Sequence, residues 1–193
     1  MEKLYEIFIR SHGCCTSCRT HRTDAFTQQE LMDWTDGVSL KEELTCLSKN
    51  IYFEGRGESI LGQVAIAYVT LNRTVNSKFP SSICSVVYEG KYKESWKTKS
   101  TRDPFDAVMI PVRNRCQFSW FCDGKSDKIL DRQAWKRAVN VATSVLIEHS
   151  TLNHNDPTKG AMYYHADYVS PSFHKFNLTP TNVTIGKHIF YKE

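Results

Sequence analysis

Two glutamates flank a glycine-rich turn, Glu54-Gly55-Arg56-Gly57-Glu58, between two apolar-periodic segments. Leu40, Leu44, Leu47, Ile51 and Glu54 are spaced four, three, four and three apart, which sets them on one face of a helix. Glu54 therefore continues an inward-facing stripe. A carboxyl group in apolar surroundings is harder to ionise, so its pKa rises, and a carboxyl so tuned can act as a general acid near neutral pH. Gly55 and Gly57 are poor helix formers that tolerate unusual backbone angles. They are expected to end the helix just after the acid and to leave room for a ligand. The structural alternative is that Glu54 emerges at the helix end and pairs with Arg56 or a lysine.

The elements that must hold this acid follow from the pattern around it. A first helix is predicted over about 40–54. A second spans about 59–76, with Val64, Ala67, Tyr68, Leu71 and Val75 on its buried face. Phe79-Pro80 breaks it, and 82–88 forms a short helix or strand. The charged stretch 91–115 reads as an irregular surface insertion. A third helix covers 131–149, capped by Asp131 or the residues before it, with a stripe of Trp135, Ala138, Val139, Ala142 and Leu146. Asp156-Pro157-x-x-Gly160 is a turn. Strands are predicted at 161–165 and 184–191. Residues 1–38 are polar and cysteine-rich and form an N-terminal appendage with a short strand at 4–9, and 39–193 form the main domain. Helices come first and strands last, so the class is α+β.

Composition narrows the functions. With 193 residues, 40% hydrophobic and 12% aromatic, the chain can build one ordinary core. The net charge of +4 is mild; it favours an anionic surface or polymer as partner, whereas a nucleic-acid binder would carry a denser basic stripe. No apolar run is long enough for a transmembrane helix, so no stable membrane insertion is expected. The N-terminus is too charged for a secretory signal. Seven cysteines are present. Cys14, Cys15, Cys18 and His21 have metal-ligand spacing but lack a second half. Cys116 and Cys122 form a separate pair that could be bridged in an oxidising compartment. No H-E-x-x-H or comparable set accompanies His165 and His188, so neither a metal nor another cofactor is expected at the main site.

Several segments together resemble one family. Glu54-Gly-Arg-Gly-Glu58, Gly62-Gln63-Val64-Ala65, Leu71-Asn72-Arg73, Phe79-Pro80 and Ile83-Cys84-Ser85-Val86-Val87-Tyr88 are similar to the catalytic domain of the SleB/CwlJ-type cell wall hydrolases. The likeness continues through Cys116-Gln117-Phe118-Ser119-Trp120, Cys122-Asp123-Gly124, Ala161-Met-Tyr-Tyr-His165, Val169-Ser-Pro171 and Ile185-Gly186-Lys187-His188-Ile189-Phe190-Tyr191. It covers about residues 45–191 in order. The resemblance implies a mainly helical lysozyme/transglycosylase-like domain with a small C-terminal antiparallel sheet. It also implies cleavage of peptidoglycan glycan strands between N-acetylmuramic acid and N-acetylglucosamine by a lytic transglycosylase that uses one glutamate. In the family pattern E-x-R-G-E that glutamate is the first acid, here Glu54. The departures are the cysteine-rich N-terminus, the insertion near 91–115, and Gly55 where the family usually has alanine.

Glu58 is the nearby second acid. It caps or salt-bridges the start of the second helix, or it faces substrate beside Glu54. Gln63 orients substrate or stabilises the helix start. Phe118, Ser119 and Trp120 offer a stacking face and a hydroxyl for a sugar ring, or else a core aromatic pair. Tyr163 and His165 share one strand face and Tyr164 the other, and one face is expected to line the cleft. Three competing functions stay open. One is a hydrolytic muramidase pairing Glu54 with Glu58 or Asp123. Another is a non-catalytic wall-binding or virion protein. The last is a cysteine amidase or peptidase using Cys84 or Cys116 with His165. The chain is expected to be monomeric and phage-encoded, an endolysin passing from the host cytoplasm to the periplasm and wall.

Overall fold

The computed structural model describes residues 40–98, 107–150, 155–170 and 178–193. The predicted appendage, its strand and the Cys14/Cys15/Cys18/His21 group lie outside the described residues. Helix α1 (Leu40–Gly55) runs into the glycine turn as predicted. Leu47 and Ile51 are fully buried, while Leu40 at the start of the stripe is half exposed. The turn is short because α2 (Ile60–Thr74) begins almost at once. Ser59 caps α2 by accepting the Gly62 N–H.

Helix α2 is central. Ala67, Tyr68 and Leu71 face the main core, and Ala65 and Val69 face a second cluster with Ala161, Ile185 and Phe190. A helix buried on both sides must be apolar nearly all round, which explains the run Val64–Tyr68. Val75, predicted on the buried face, lies just past the helix and is 74% exposed.

The stretch 82–88 contains helix α3 (Ile83–Val87), capped by Ser82. A buried side chain from α1 adds to that cap. Glu43 Oε2 accepts the Ile83 N–H at 2.6 Å, placing negative charge at a helix N-terminus. A disulfide between Cys46 and Cys84 ties the same two elements; nothing in the spacing of the cysteines announces it.

The insertion is not an irregular loop. It forms strands β1 (Gly90–Glu94) and β2 (Met109–Cys116), paired antiparallel with a bulge between Gly90 and Tyr92. Lys and Arg between isolated apolar residues hid the alternation that would have marked strands. A short 3-10 helix (Ser119–Cys122) follows, closed by a Cys116–Cys122 disulfide.

Helix α4 (Arg132–His149) carries the predicted Asp131 cap, with Asp131 accepting the Ala134 N–H at 2.9 Å. Its most buried side chains are Ala134, Ala138, Val141, Ala142 and Val145, so the stripe is rotated slightly from the predicted one. The C-terminal part is a three-stranded antiparallel sheet in the order β3-β5-β4: β3 (Tyr163–Ala166), β4 (Thr179–Ile185) and β5 (His188–Lys192). The single strand predicted at 184–191 is in fact a hairpin. Its turn uses Gly186 at φ +60, a backbone region that glycine enters without steric cost. The class is α+β; the described residues form four α-helices with small antiparallel sheets. Among the described residues no helix is long and apolar enough to cross a membrane.

Candidate active site

Glu54 sits one residue from the end of α1, half-buried. With Arg73, Gln117, Phe118, Ser119 and Tyr164 it lines a cavity of about 140 Å³. Three separate elements converge there: α1 brings the acid, α2 the arginine and β3 the tyrosine. The segment after β2 supplies the remaining wall.

The Tyr164 hydroxyl donates to Glu54 Oε2 at 3.1 Å. Burial pushes the Glu54 carboxyl above the ordinary carboxylate value; the Tyr164 hydrogen bond and the Arg73 charge pull it partly back. The protonated acid is favoured by loss of water and the carboxylate is kept accessible by its two neighbours. Burial and the adjoining Glu54 charge hold the Tyr164 hydroxyl well above its usual range, so it stays a donor.

Arg73 is 4% exposed. Its Nε donates to the Met162 carbonyl at 2.8 Å. Its guanidinium lies 4.9 Å from the Phe118 ring centre, 5.3 Å from Phe79 and 5.7 Å from Tyr163, all within cation–π range. Asn72 beside it donates to Asp156 Oδ2 and to the Ala161 carbonyl. Leu71-Asn72-Arg73 thus packs the core, pins the 156–161 turn and presents a caged cation to Glu54. Neither Arg73 nor Gln117 was singled out from sequence as a site residue. Arg73 falls four residues after buried Val69; a cation on such a helix face is the signal that could have found it.

The other sequence candidates scatter. Gln63 is buried, and its Nε2 donates to the Gly55 carbonyl at 3.0 Å, so it caps the end of α1 and does not line the cavity. Gly55 leaves no room for a ligand: a Cβ there would meet Ile66 Cδ1 at 2.7 Å. Glu58 does not cap α2, a role Ser59 takes. It packs on Gly62 and on the Gly186 turn, where a Cβ at Gly186 would collide with its Oε2. Phe118 lines the cavity as a buried side chain and Ser119 as an exposed one. Trp120 belongs to the core; it stacks on Phe53 at 4.6 Å and donates Nε1 to Asn50 Oδ1. Of the two β3 faces, the one bearing Tyr164 meets the cavity. Tyr163 points to Glu193, and His165 contacts Tyr191 through Nε2 at 3.0 Å. Cys84 and Cys116 are both disulfide-bonded, so neither is the free thiolate that a cysteine nucleophile requires.

Comparison with known proteins identifies the family. The profile of the Cell Wall Hydrolase family matches residues 57–191, beginning just after Glu54. A spore cortex-lytic enzyme of Bacillus cereus is 29% identical over 153 residues, covering 79% of this chain and 45% of that protein. One from Halalkalibacterium halodurans is 30% identical over 148 residues, covering 77% and 34%. The chain thus spans less than half the length of these curated relatives. Among solved structures, the catalytic domain of the Bacillus cereus SleB protein is 26% identical with a TM-score of 0.48, covering 79% of this chain and 91% of that one. The catalytic domain of a germination-specific lytic transglycosylase, SleB from Bacillus anthracis, is 25% identical with a TM-score of 0.46, covering 81% and 98%. With the family profile spanning most of its length, the chain belongs to the cell wall hydrolase family.

Proposed function

We propose that this chain is a peptidoglycan lytic transglycosylase in which Glu54 is the single acid and base. The observation that carries the reading is the cavity itself: among its lining residues Glu54 is the sole carboxylate, with a raised pKa and a tyrosine donor on one oxygen. Glu54 protonates the glycosidic oxygen between N-acetylmuramic acid and N-acetylglucosamine, and the bond from that oxygen to the muramyl anomeric carbon breaks. The resulting Glu54 carboxylate then takes the proton of the muramyl C6 hydroxyl, whose oxygen bonds to the anomeric carbon. The product carries a 1,6-anhydro end and no water is consumed. Tyr164 and Arg73 steady the carboxylate between the two proton transfers.

A hydrolytic muramidase would need a second carboxylate to activate water. The two acids considered for that role lie elsewhere. Glu58 packs on the Gly186 turn, and Asp123 accepts the Lys125 N–H at 2.7 Å and pairs with the Lys125 ammonium. This favours the single-acid route. We also propose that the protein works on the wall side of the cell, outside the reducing cytosol; the two disulfides among the described residues support that placement. The phage endolysin origin remains part of this proposal. In a dye-release assay on purified peptidoglycan, Glu54→Gln is expected to lose activity by about 10²–10⁴-fold, the usual worth of a general acid, with unchanged folding by circular dichroism. Retained activity in that variant would contradict the assignment.

A further inference from the structure

A second cavity lies beside the one that holds Glu54. It measures about 470 Å³, against about 140 Å³ at Glu54, and its lining includes Pro80, Ser85, Tyr88, Glu89, Gly90 and Tyr92. The two adjoin at a backbone hydrogen bond. The N–H of Gln117, which lines the Glu54 cavity, donates to the carbonyl of Glu89, which lines the second, at 2.9 Å. Arg73 links them too: its guanidinium is attracted by the carboxylates of both Glu89 and Glu54. Sites for small ligands commonly measure about 300–1,000 Å³. The Glu54 cavity falls below that range, so it seats the reacting atoms rather than the sugars on either side of them. The second cavity falls within it.

The side chains there suit a sugar ring. Tyr92 is 41% exposed, and its hydroxyl donates to the Tyr88 carbonyl at 2.7 Å, which holds the ring in place. Phe121 meets the Tyr88 and Tyr92 rings at interplanar angles of 60° and 50°, so it stacks flat on neither. Glu89 supplies an acceptor. It is half-buried, and its Oε2 has no hydrogen-bond partner within the protein. Burial pushes the Glu89 carboxyl above the ordinary carboxylate value and the Arg73 charge pulls it partly back. An unpaired carboxylate oxygen is costly in such surroundings, and a donor brought by a ligand removes that cost. The single-acid reaction at Glu54 makes no use of it.

We propose that this cavity binds an N-acetylhexosamine ring of the glycan strand beyond the scissile bond, with Tyr92 against the ring and Glu89 accepting from a hydroxyl or the acetamide N–H. A neutral sugar brings both the apolar face that an aromatic ring covers and the donors that a carboxylate accepts. A stem peptide with free carboxylates meets Glu89 with like charge. The identity of the ligand rests on the glycan-cleaving reading above; the binding itself does not depend on Glu54.

The test is an NMR titration of the Glu54→Gln protein with chitooligosaccharides, from N-acetylglucosamine to the hexamer. These probes carry no stem peptide, and the variant separates binding from turnover. Binding should tighten with length, and the longer oligomers should shift the backbone amides of Ser85, Gly90 and Tyr92 together with that of Gln117. Adding Tyr92→Ala or Glu89→Gln should weaken hexamer binding by roughly fivefold each without loss of fold by circular dichroism, and Tyr92→Phe should retain most of it. With Glu54 intact, Tyr92→Ala should raise KM on peptidoglycan by more than it lowers kcat. Absence of hexamer binding, shifts confined to the Glu54 cavity, or unweakened binding by both Tyr92→Ala and Glu89→Gln would overturn the proposal. So would shifts at Tyr92 that require a peptide-bearing muropeptide, which would mark a stem-peptide seat instead. A failure of the Glu54 reading shows separately, as missing anhydro products, and leaves these binding results standing.

Discussion

Tyr164 of β3 donates its hydroxyl hydrogen to Oε2 of Glu54, 3.1 Å away and 110 residues earlier in the chain. The bond joins the end of the first described helix to the C-terminal sheet, so the acid is tuned only when both halves of the fold are assembled. Because this bond lowers the Glu54 pKa against the larger effect of burial, Tyr164→Phe should raise it further. A general acid must be protonated, so the alkaline limb of the pH–rate profile should move to higher pH in Tyr164→Phe, with a lower maximal rate from the less stable carboxylate. A profile that keeps its limb in place would deny the coupling.

Burial of Glu54 also has a stability consequence. Its folded pKa lies above the ordinary value of 4.5, so the folded state binds the proton more tightly than the unfolded chain does. The stabilisation is complete below the unfolded pKa and is lost as pH rises through the folded pKa. Glu54→Gln keeps an acceptor for Tyr164 and removes the charge. It should melt above wild type at neutral pH, and the gap should close in acid. Equal melting temperatures at neutral pH would contradict this.

The two disulfides should differ in worth. Cys46–Cys84 spans a separation of 38 residues and Cys116–Cys122 one of 6. Loop entropy assigns about 4 kcal/mol to the first and about 2 kcal/mol to the second. Denaturant melts of Cys46→Ala/Cys84→Ala and Cys116→Ala/Cys122→Ala should rank in that order. Alkylation of the oxidised protein should leave wall digestion intact, since a cysteine amidase would be silenced by it.

Gly55→Ala restores the residue usual in the family resemblance but places a methyl 2.7 Å from Ile66 Cδ1. Ile66 is fully buried, so its end group has little space to yield. The substitution alone should cost roughly 1 kcal/mol, and Ile66→Val should recover most of it. Additive behaviour of the two changes would show that the contact does not matter.

Much of the helical part was legible because its signals are local. The 3.6 period placed α1, α2 and α4, and the Asp131 cap marked the start of α4. Glu54 emerged from the same stripe that buried Leu47 and Ile51. What stayed hidden depends on partners far along the chain. Arg73 reads as an ordinary helix cation until Phe79, Phe118 and Tyr163 surround it. Trp120 looks like a stacking platform until Asn50 and Phe53 claim it. Gln63 looks like a ligand-binding amide until it turns back to the Gly55 carbonyl. The C-terminal hairpin was missed because Gly186 alone marks its turn within an otherwise continuous β-like run.

Mass spectrometry of soluble muropeptides released from purified peptidoglycan, wild type beside Glu54→Gln, decides whether Glu54 alone serves as acid and base. Wild type is expected to release muropeptides with 1,6-anhydro ends, one water lighter than hydrolytic products, and the variant none. Reducing-end products without the anhydro mass, or undiminished release by Glu54→Gln, would contradict it.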